Sequence, residues 1–166
     1  MTNESKRAVV DYVGPQIDCG RFPIKRAAGE TVRVIAHAFA DGHDHVRAEA
    51  LYKKEDQDEW SAQEMNYEAN DEWSSTFVVP ELGSYLYTVR AWVDYFGTWQ
   101  SDLRKKIDAG DGVTIALKMG AEMVLAAAGR AEPADARQLE EWARILQSTD
   151  RFAQAEQTAP GEPLTQ

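Results

Sequence analysis

The sequence holds a single cysteine, Cys19, so no internal disulfide can staple the chain. A lone cysteine fits a reducing compartment, and a cytoplasmic protein is the expectation. There is no run of eighteen apolar residues, and the opening MTNESKRAVV has no apolar stretch like that of a signal peptide. Basic charge is also scarce: 18 Lys and Arg face 28 Asp and Glu, for a formal charge of -10. A nucleic-acid partner would need a basic face to displace counterions, and an anionic membrane surface would repel this chain, so both are excluded as expected partners. No glycine-rich phosphate loop, nucleophile elbow or Cys/His catalytic arrangement occurs. Carboxylates are plentiful, but many lie in turn segments such as Glu55, Asp56, Asp58 and Glu59. Glycoside chemistry needs two of them held across a cleft, and nothing in the pattern organises one. No catalytic residue and no cofactor is assigned.

What is present reads first as strands. With 166 residues and 43% hydrophobic content, the chain can bury a core unaided. Thr31 to Phe39 alternates Val32, Val34, Ala36 and Ala38 with polar or mixed positions, the period of a half-buried strand. Asp41-Gly42 follows as a tight-turn signal. Val46 to Tyr52, Trp60 to Tyr67, Trp73 to Val79 and Tyr85 to Tyr95 read as further strands, separated by KKEDQDE, EANDE and PELGS. Closely spaced strands without intervening helices predict an antiparallel β-sandwich of the immunoglobulin or fibronectin type. Tyr85, after Leu82-Gly83-Ser84, is similar to the tyrosine corner of such sandwiches, whose phenol bonds back to nearby backbone.

Near residue 98 the period changes, predicting a sandwich over 8–98, a helical segment over 99–153 and a disordered tail over 154–166. Trp99, Leu103 and Ile107 recur every four residues before Gly110. Val113, Ala116, Leu117, Gly120, Met123, Val124 and Ala127 form a second stripe, ended by Gly129. A third helix begins around Pro133 and presents Leu139, Trp142, Ala143 and Leu146. Met119 and Met123 read as core filler. So small a helical unit is not expected to bury three stripes alone. It would pack on the sandwich, on a second copy or on a missing part of a longer chain, with Leu139, Trp142 and Leu146 as candidate interface residues.

Two clusters invite a functional reading. All three histidines, His37, His43 and His45, lie near Asp41 and Asp44, but without a convergent second pair they suit a solvated turn better than a metal. Trp60, Trp73, Trp92, Tyr95, Phe96 and Trp99 include rings that could stack on sugar faces, although aromatic residues mostly fill cores. Trp92, Tyr95 and Trp99, where a strand gives way to a helix, are the candidate glycan contacts.

Several stretches in order resemble one family. Ile17-Asp18-Cys19-Gly20-Arg21-Phe22-Pro23-Ile24-Lys25-Arg26 with Gly29-Glu30 is similar to its opening motif, and Phe39-Ala40-Asp41-Gly42-His43-Asp44 to a later turn. Asn70-Asp71-Glu72-Trp73, Gly83-Ser84-Tyr85-Leu86-Tyr87-Thr88, Ala91-Trp92-Val93-Asp94 and Thr98-Trp99 continue the series. The family is the α-1,4-glucan:maltose-1-phosphate maltosyltransferases, relatives of the α-amylases, and the resemblance is to their N-terminal region. It implies a fibronectin-like sandwich with a helical segment, a homodimer interface, and a contribution to the α-glucan acceptor region. It also implies that the catalytic (β/α)₈ barrel, of about 250 residues, is a partner lying outside this chain. Two further readings remain beside an accessory module: an independent carbohydrate-binding module and a pure protein-interaction domain. If a strand arriving after the helices completes the family's sandwich, this chain would carry an open sheet edge.

Overall fold

The computed structural model describes residues 8–148 and Asp150. The tail expected over 154–166 lies outside the described residues, as do the last positions of the expected helical segment. The chain divides into two compact units between Asp94 and Tyr95.

The first unit is all strand: β1 (Ala8–Gly14), β2 (Thr31–Ala40), β3 (Val46–Lys54), β4 (Ser61–Glu64), β5 (Asn66–Ala69), β6 (Glu72–Val78) and β7 (Tyr85–Val93). One sheet runs β1-β2-β6-β5 and the other β4-β3-β7, with every pairing antiparallel. The alternation in β2 does what its period dictates, because Val32, Val34, Ala36 and Ala38 are buried while Thr31 and Arg33 face out. Ala48 and Ala50 oppose them from β3. These small residues leave room for Trp73, Phe77, Tyr52 and Tyr87 in one shared core. Tyr52 stacks on Phe77 with centroids 4.3 Å apart, and the Trp73 indole N–H donates to the Ala38 carbonyl at 2.9 Å. The buried polar group is thereby satisfied.

Three features differ from the sequence reading. Ala8–Gly14 is a strand, although its mixed pattern did not single it out. The single strand expected over Trp60 to Tyr67 is two, lying in different sheets. Met65 is the crossing point: its N–H still donates to Ala48 of β3 at 2.9 Å, while Asn66 already pairs with Ser74 of β6. Its unbranched side chain fills the corner at 2% exposure. Asn70 and Asp71, both at positive φ (51° and 63°), then close the two-residue hairpin into β6. The third difference is the tyrosine. The phenol that donates to backbone belongs to Tyr87, and its acceptor is the distant Pro15 carbonyl at the end of β1. Tyr85 instead packs its ring against the core.

The second unit contains α1 (Tyr95–Asp108), α2 (Thr114–Ala128) and α3 (Pro133–Leu146). Helix α1 starts at Tyr95, so residues 95–98, assigned above to the sandwich, are helical. The physical reason is that the apolar stripe extends one turn further back: Phe96 precedes Trp99 by three residues and packs against it at 5.1 Å. Gly110, at φ 71°, ends α1 with Gly110 N–H to Ile107 and Asp111 N–H to Lys106, the paired bonds of a Schellman stop. Pro133 stands in the first turn of α3.

The three stripes converge to a large extent on one another. Trp99, Leu103, Leu117, Ala121, Val124, Ala143 and Leu146 form a buried cluster, with Leu139 and Trp142 half-buried against it. Met123 joins them, but Met119 does not: it is exposed on the outer face of α2 with Ile115 one turn before it. The closest approach is Trp99 over Gly120. A Cβ built on Gly120 would lie 2.0 Å from the indole Cζ2, and the indole N–H donates to the Ala116 carbonyl at 2.7 Å.

Two variants test these anchors. Gly120→Ala gains about 1 kcal/mol of helix propensity, but the overlap with a rigid ring exceeds that gain and is expected to give a net loss of about 1–2 kcal/mol. Thermal melting followed at 222 nm reads it. Tyr87→Phe is expected to lose about 1 kcal/mol and to speed amide exchange in β1. Burial, then the neighbouring Tyr12, raises the Tyr87 phenol above its ordinary pKa. A raised phenol stabilises the fold below the unfolded pKa, and that contribution is lost as pH climbs from about 10. The alkaline loss should be smaller in Tyr87→Phe.

Candidate functional site

The surface of the first unit is organised by cross-strand pairs. On the outer face of the β4-β3-β7 sheet, Arg47 stands opposite Trp92, Glu49 opposite Arg90 and Lys53 opposite Leu86. Arg90 Nε donates to Glu49 Oε2 at 2.8 Å, and Arg47 Nε to Glu64 Oε1 at 3.0 Å. The Glu64 hydrogen bond raises the Arg47 guanidinium above its ordinary value, partly opposed by desolvation. These carboxylates are therefore engaged by arginines along a sheet face and do not face each other across a cleft.

The three candidate glycan residues part company. Trp99, at 7% exposure, lies inside the helical unit with its N–H spent on Ala116, so it offers no face to a sugar. This corrects the sequence expectation; the reason is that the ring closes over Gly120. Trp92 is on the surface at 36% exposure, beside Arg47 on the outer sheet face. Tyr95 is exposed at the head of α1.

The candidate interface residues share one place. Leu139, Trp142 and Leu146 line an open groove of about 450 Å³ with Tyr95, Phe96 and Met123, all within the helical unit. Leu146 is itself buried, and Arg130 stands as the cation of the lining. The remaining surface is apolar, so the groove has shape but few directional hydrogen-bonding groups.

The histidines do not converge. His37 sits on the outer face of the first sheet between Asp11 and Glu72, with N···O distances of 3.7 and 4.0 Å, and its ring is tilted against Tyr12. His43 and His45 are exposed in the β2–β3 connection. Among the described residues no group of three His, Cys, Asp or Glu side chains is placed to hold a metal ion. No helix among them is long and apolar enough to cross a membrane.

Sequence reasoning missed one surface. Ile17, Phe22 and Leu82 are exposed in the β1–β2 and β6–β7 connections. Leu82, between Pro80 and Gly83, carried the available signal: a large apolar residue inside a turn segment has no neighbouring period to bury it.

The family model described as α-1,4-glucan:maltose-1-phosphate maltosyltransferase, domain N/S, matches residues 6–164. The chain belongs to this family. It is 43% identical over 141 residues to the α-1,4-glucan:maltose-1-phosphate maltosyltransferase of Chlorobaculum tepidum, covering 85% of this chain and 21% of that protein. The Myxococcus xanthus enzyme of the same name is 36% identical over 149 residues, with 85% and 22% covered. That of Salinibacter ruber is 36% identical over 142 residues, with 84% and 21% covered. The chain thus spans about a fifth of the length of these maltosyltransferases.

The two tryptophans separate experimentally. Trp99→Ala is expected to destabilise the chain by about 3–5 kcal/mol, and Trp92→Ala by less than about 1 kcal/mol. Chemical denaturation checks both, and equal losses would contradict the placement.

Proposed function

We propose that the chain is the non-catalytic N-terminal accessory module of a maltosyltransferase of α-glucan synthesis. The match to domain N/S carries this reading, together with the fifth of the relatives' length that the chain spans. In the parent enzyme a separate catalytic barrel moves a maltosyl group from maltose 1-phosphate onto an α-1,4-glucan. The module scaffolds that barrel, assembles as a homodimer and helps to shape the acceptor region. Carboxylates held by Arg47 and Arg90 on an outer sheet face suit a structural surface better than acid–base chemistry. Exposed Ile115 and Met119 on α2 suit a chain that associates with other protein surfaces. A single cysteine is in keeping with the cytoplasm.

Incubated with maltose 1-phosphate and glycogen, this chain is expected to release no phosphate. Turnover above the uncatalysed rate, lost in no catalytic-barrel contaminant control, would overturn the non-catalytic reading.

A direct glucan-binding role is the second reading, and exposed Trp92 favours it. Affinity electrophoresis in glycogen tests it through Trp92→Ala. Retardation abolished by that change supports binding on the sheet face, and equal mobility with and without glycogen removes it.

A further inference from the structure

A second tryptophan shares the outer face of the β4-β3-β7 sheet with Trp92. Successive side chains of a strand point to opposite faces. On β7 the exposed positions are Leu86, Thr88, Arg90 and Trp92, while Tyr85, Tyr87, Val89 and Ala91 pack against the core. Lys53 stands opposite Leu86 and Leu51 opposite Thr88, so both lie on the outer face, and Ala62 of β4 lies opposite Leu51. Trp60, just ahead of β4, is 43% exposed. The Lys53 ammonium lies 5.3 Å from its ring centroid, which sets Trp60 on the same face. Lys53 also donates to the Gln57 carbonyl at 2.7 Å, so the cation beside the ring is itself held.

The two rings stand far apart. Trp92 is opposite Arg47 and Trp60 is beside Lys53, and these two β3 residues are about 20 Å apart at the rise of an extended strand. The rings belong to the two flanks of β3, which adds about 10 Å across the sheet. Between them run Ala62, Leu51 and Thr88, which leave the middle of the face uncharged.

The charges that remain are spent on one another. Arg47 Nε donates to Glu64 Oε1 at 3.0 Å, and Arg90 Nε to Glu49 Oε2 at 2.8 Å. An ionic ligand gains little from groups already neutralised. An apolar protein surface would bury these pairs, and their desolvation can cost more than their attraction supplies. A neutral ligand rich in hydroxyls keeps them hydrogen-bonded, because guanidinium N–H groups donate and carboxylate oxygens accept beyond their mutual bonds. Sugar rings also present C–H faces, which suit the flat apolar body of an indole. Two exposed tryptophans separated by uncharged and neutralised side chains therefore fit a long neutral polysaccharide better than an ion or a protein.

We propose that this face holds one α-glucan chain of several consecutive glucosyl units, with Trp92 contacting it at one end and Trp60 at the other. The proposal rests on the direct glucan-binding reading above and adds a second contact and a minimum chain length.

Affinity electrophoresis of the full chain in glycogen, with malto-oligosaccharides as competitors, tests it. Trp60→Ala and Trp92→Ala should each raise the glycogen dissociation constant at least about tenfold, with the fold intact by circular dichroism. Maltoheptaose should compete at least about tenfold better than maltotriose, which is too short to reach both rings. That advantage should vanish in either variant. Retardation should be the same at about 50 and 500 mM salt, since the contact matches no net charge. No retardation of the unaltered chain overturns both this proposal and direct glucan binding. Retardation lost in Trp92→Ala but unchanged in Trp60→Ala, or equal competition by the two sugars, overturns the two-ring site while direct binding stands. Retardation that persists in both variants, or that is lost at high salt, places binding on other groups and overturns the site as well.

Discussion

Small residues facing large rings are the constraint on which both units depend. In the sandwich Ala36, Ala38, Ala48 and Ala50 let the sheets approach closely enough for Trp73, Phe77, Tyr52 and Tyr87 to fill one core. In the helical unit Gly120 does the same for Trp99. Interiors pack at the density of organic crystals, so an extra methyl at these positions has nowhere to go. The arrangement also consumes aromatic surface. Trp73 and Trp99 are spent on folding, whereas Trp60, Trp92 and Tyr95 remain exposed.

That distribution bears on what the chain does. Among the described residues, Glu49 and Glu64 are held by arginines on the outer face of one sheet, and Glu68 pairs with Arg33. The chain's surface carries an exposed apolar strip on α2, an apolar groove between helices, and exposed Ile17, Phe22 and Leu82 in the sandwich connections. Strand β7 stands last in its sheet order, with β1 packed close to it and the Tyr87 phenol bonded to Pro15. The chain spans about a fifth of the length of its maltosyltransferase relatives.

How far this was legible in the sequence follows from the range of the interactions involved. The alternation in β2 and the four-residue period from Trp99 to Ile107 are local, and both gave the right element type. The helical stripe was read from Trp99 onward, whereas α1 begins at Tyr95 and Phe96 already packs with the helical cluster. The crossing at Met65 was invisible, since a strand that changes sheets keeps its extended backbone and its polar composition. Tyr87 was missed in favour of Tyr85 because its acceptor, Pro15, is 72 residues away. Trp99 was misplaced for the same reason: its burial depends on Gly120, in another helix. The ordered motifs reached further than periodicity, because they identify a family without requiring the contacts to be known.

Domain exchange tests the account's central claim, that this chain is an interchangeable accessory module of a maltosyltransferase. The matched region of the Chlorobaculum tepidum enzyme, 43% identical over 141 residues, would be replaced by the corresponding residues of this chain. The chimaera is expected to fold and to transfer maltosyl units at a rate within about tenfold of its parent, a change of about 1.4 kcal/mol in activation free energy. A chimaera that folds, by circular dichroism and cooperative melting, yet transfers nothing would contradict it.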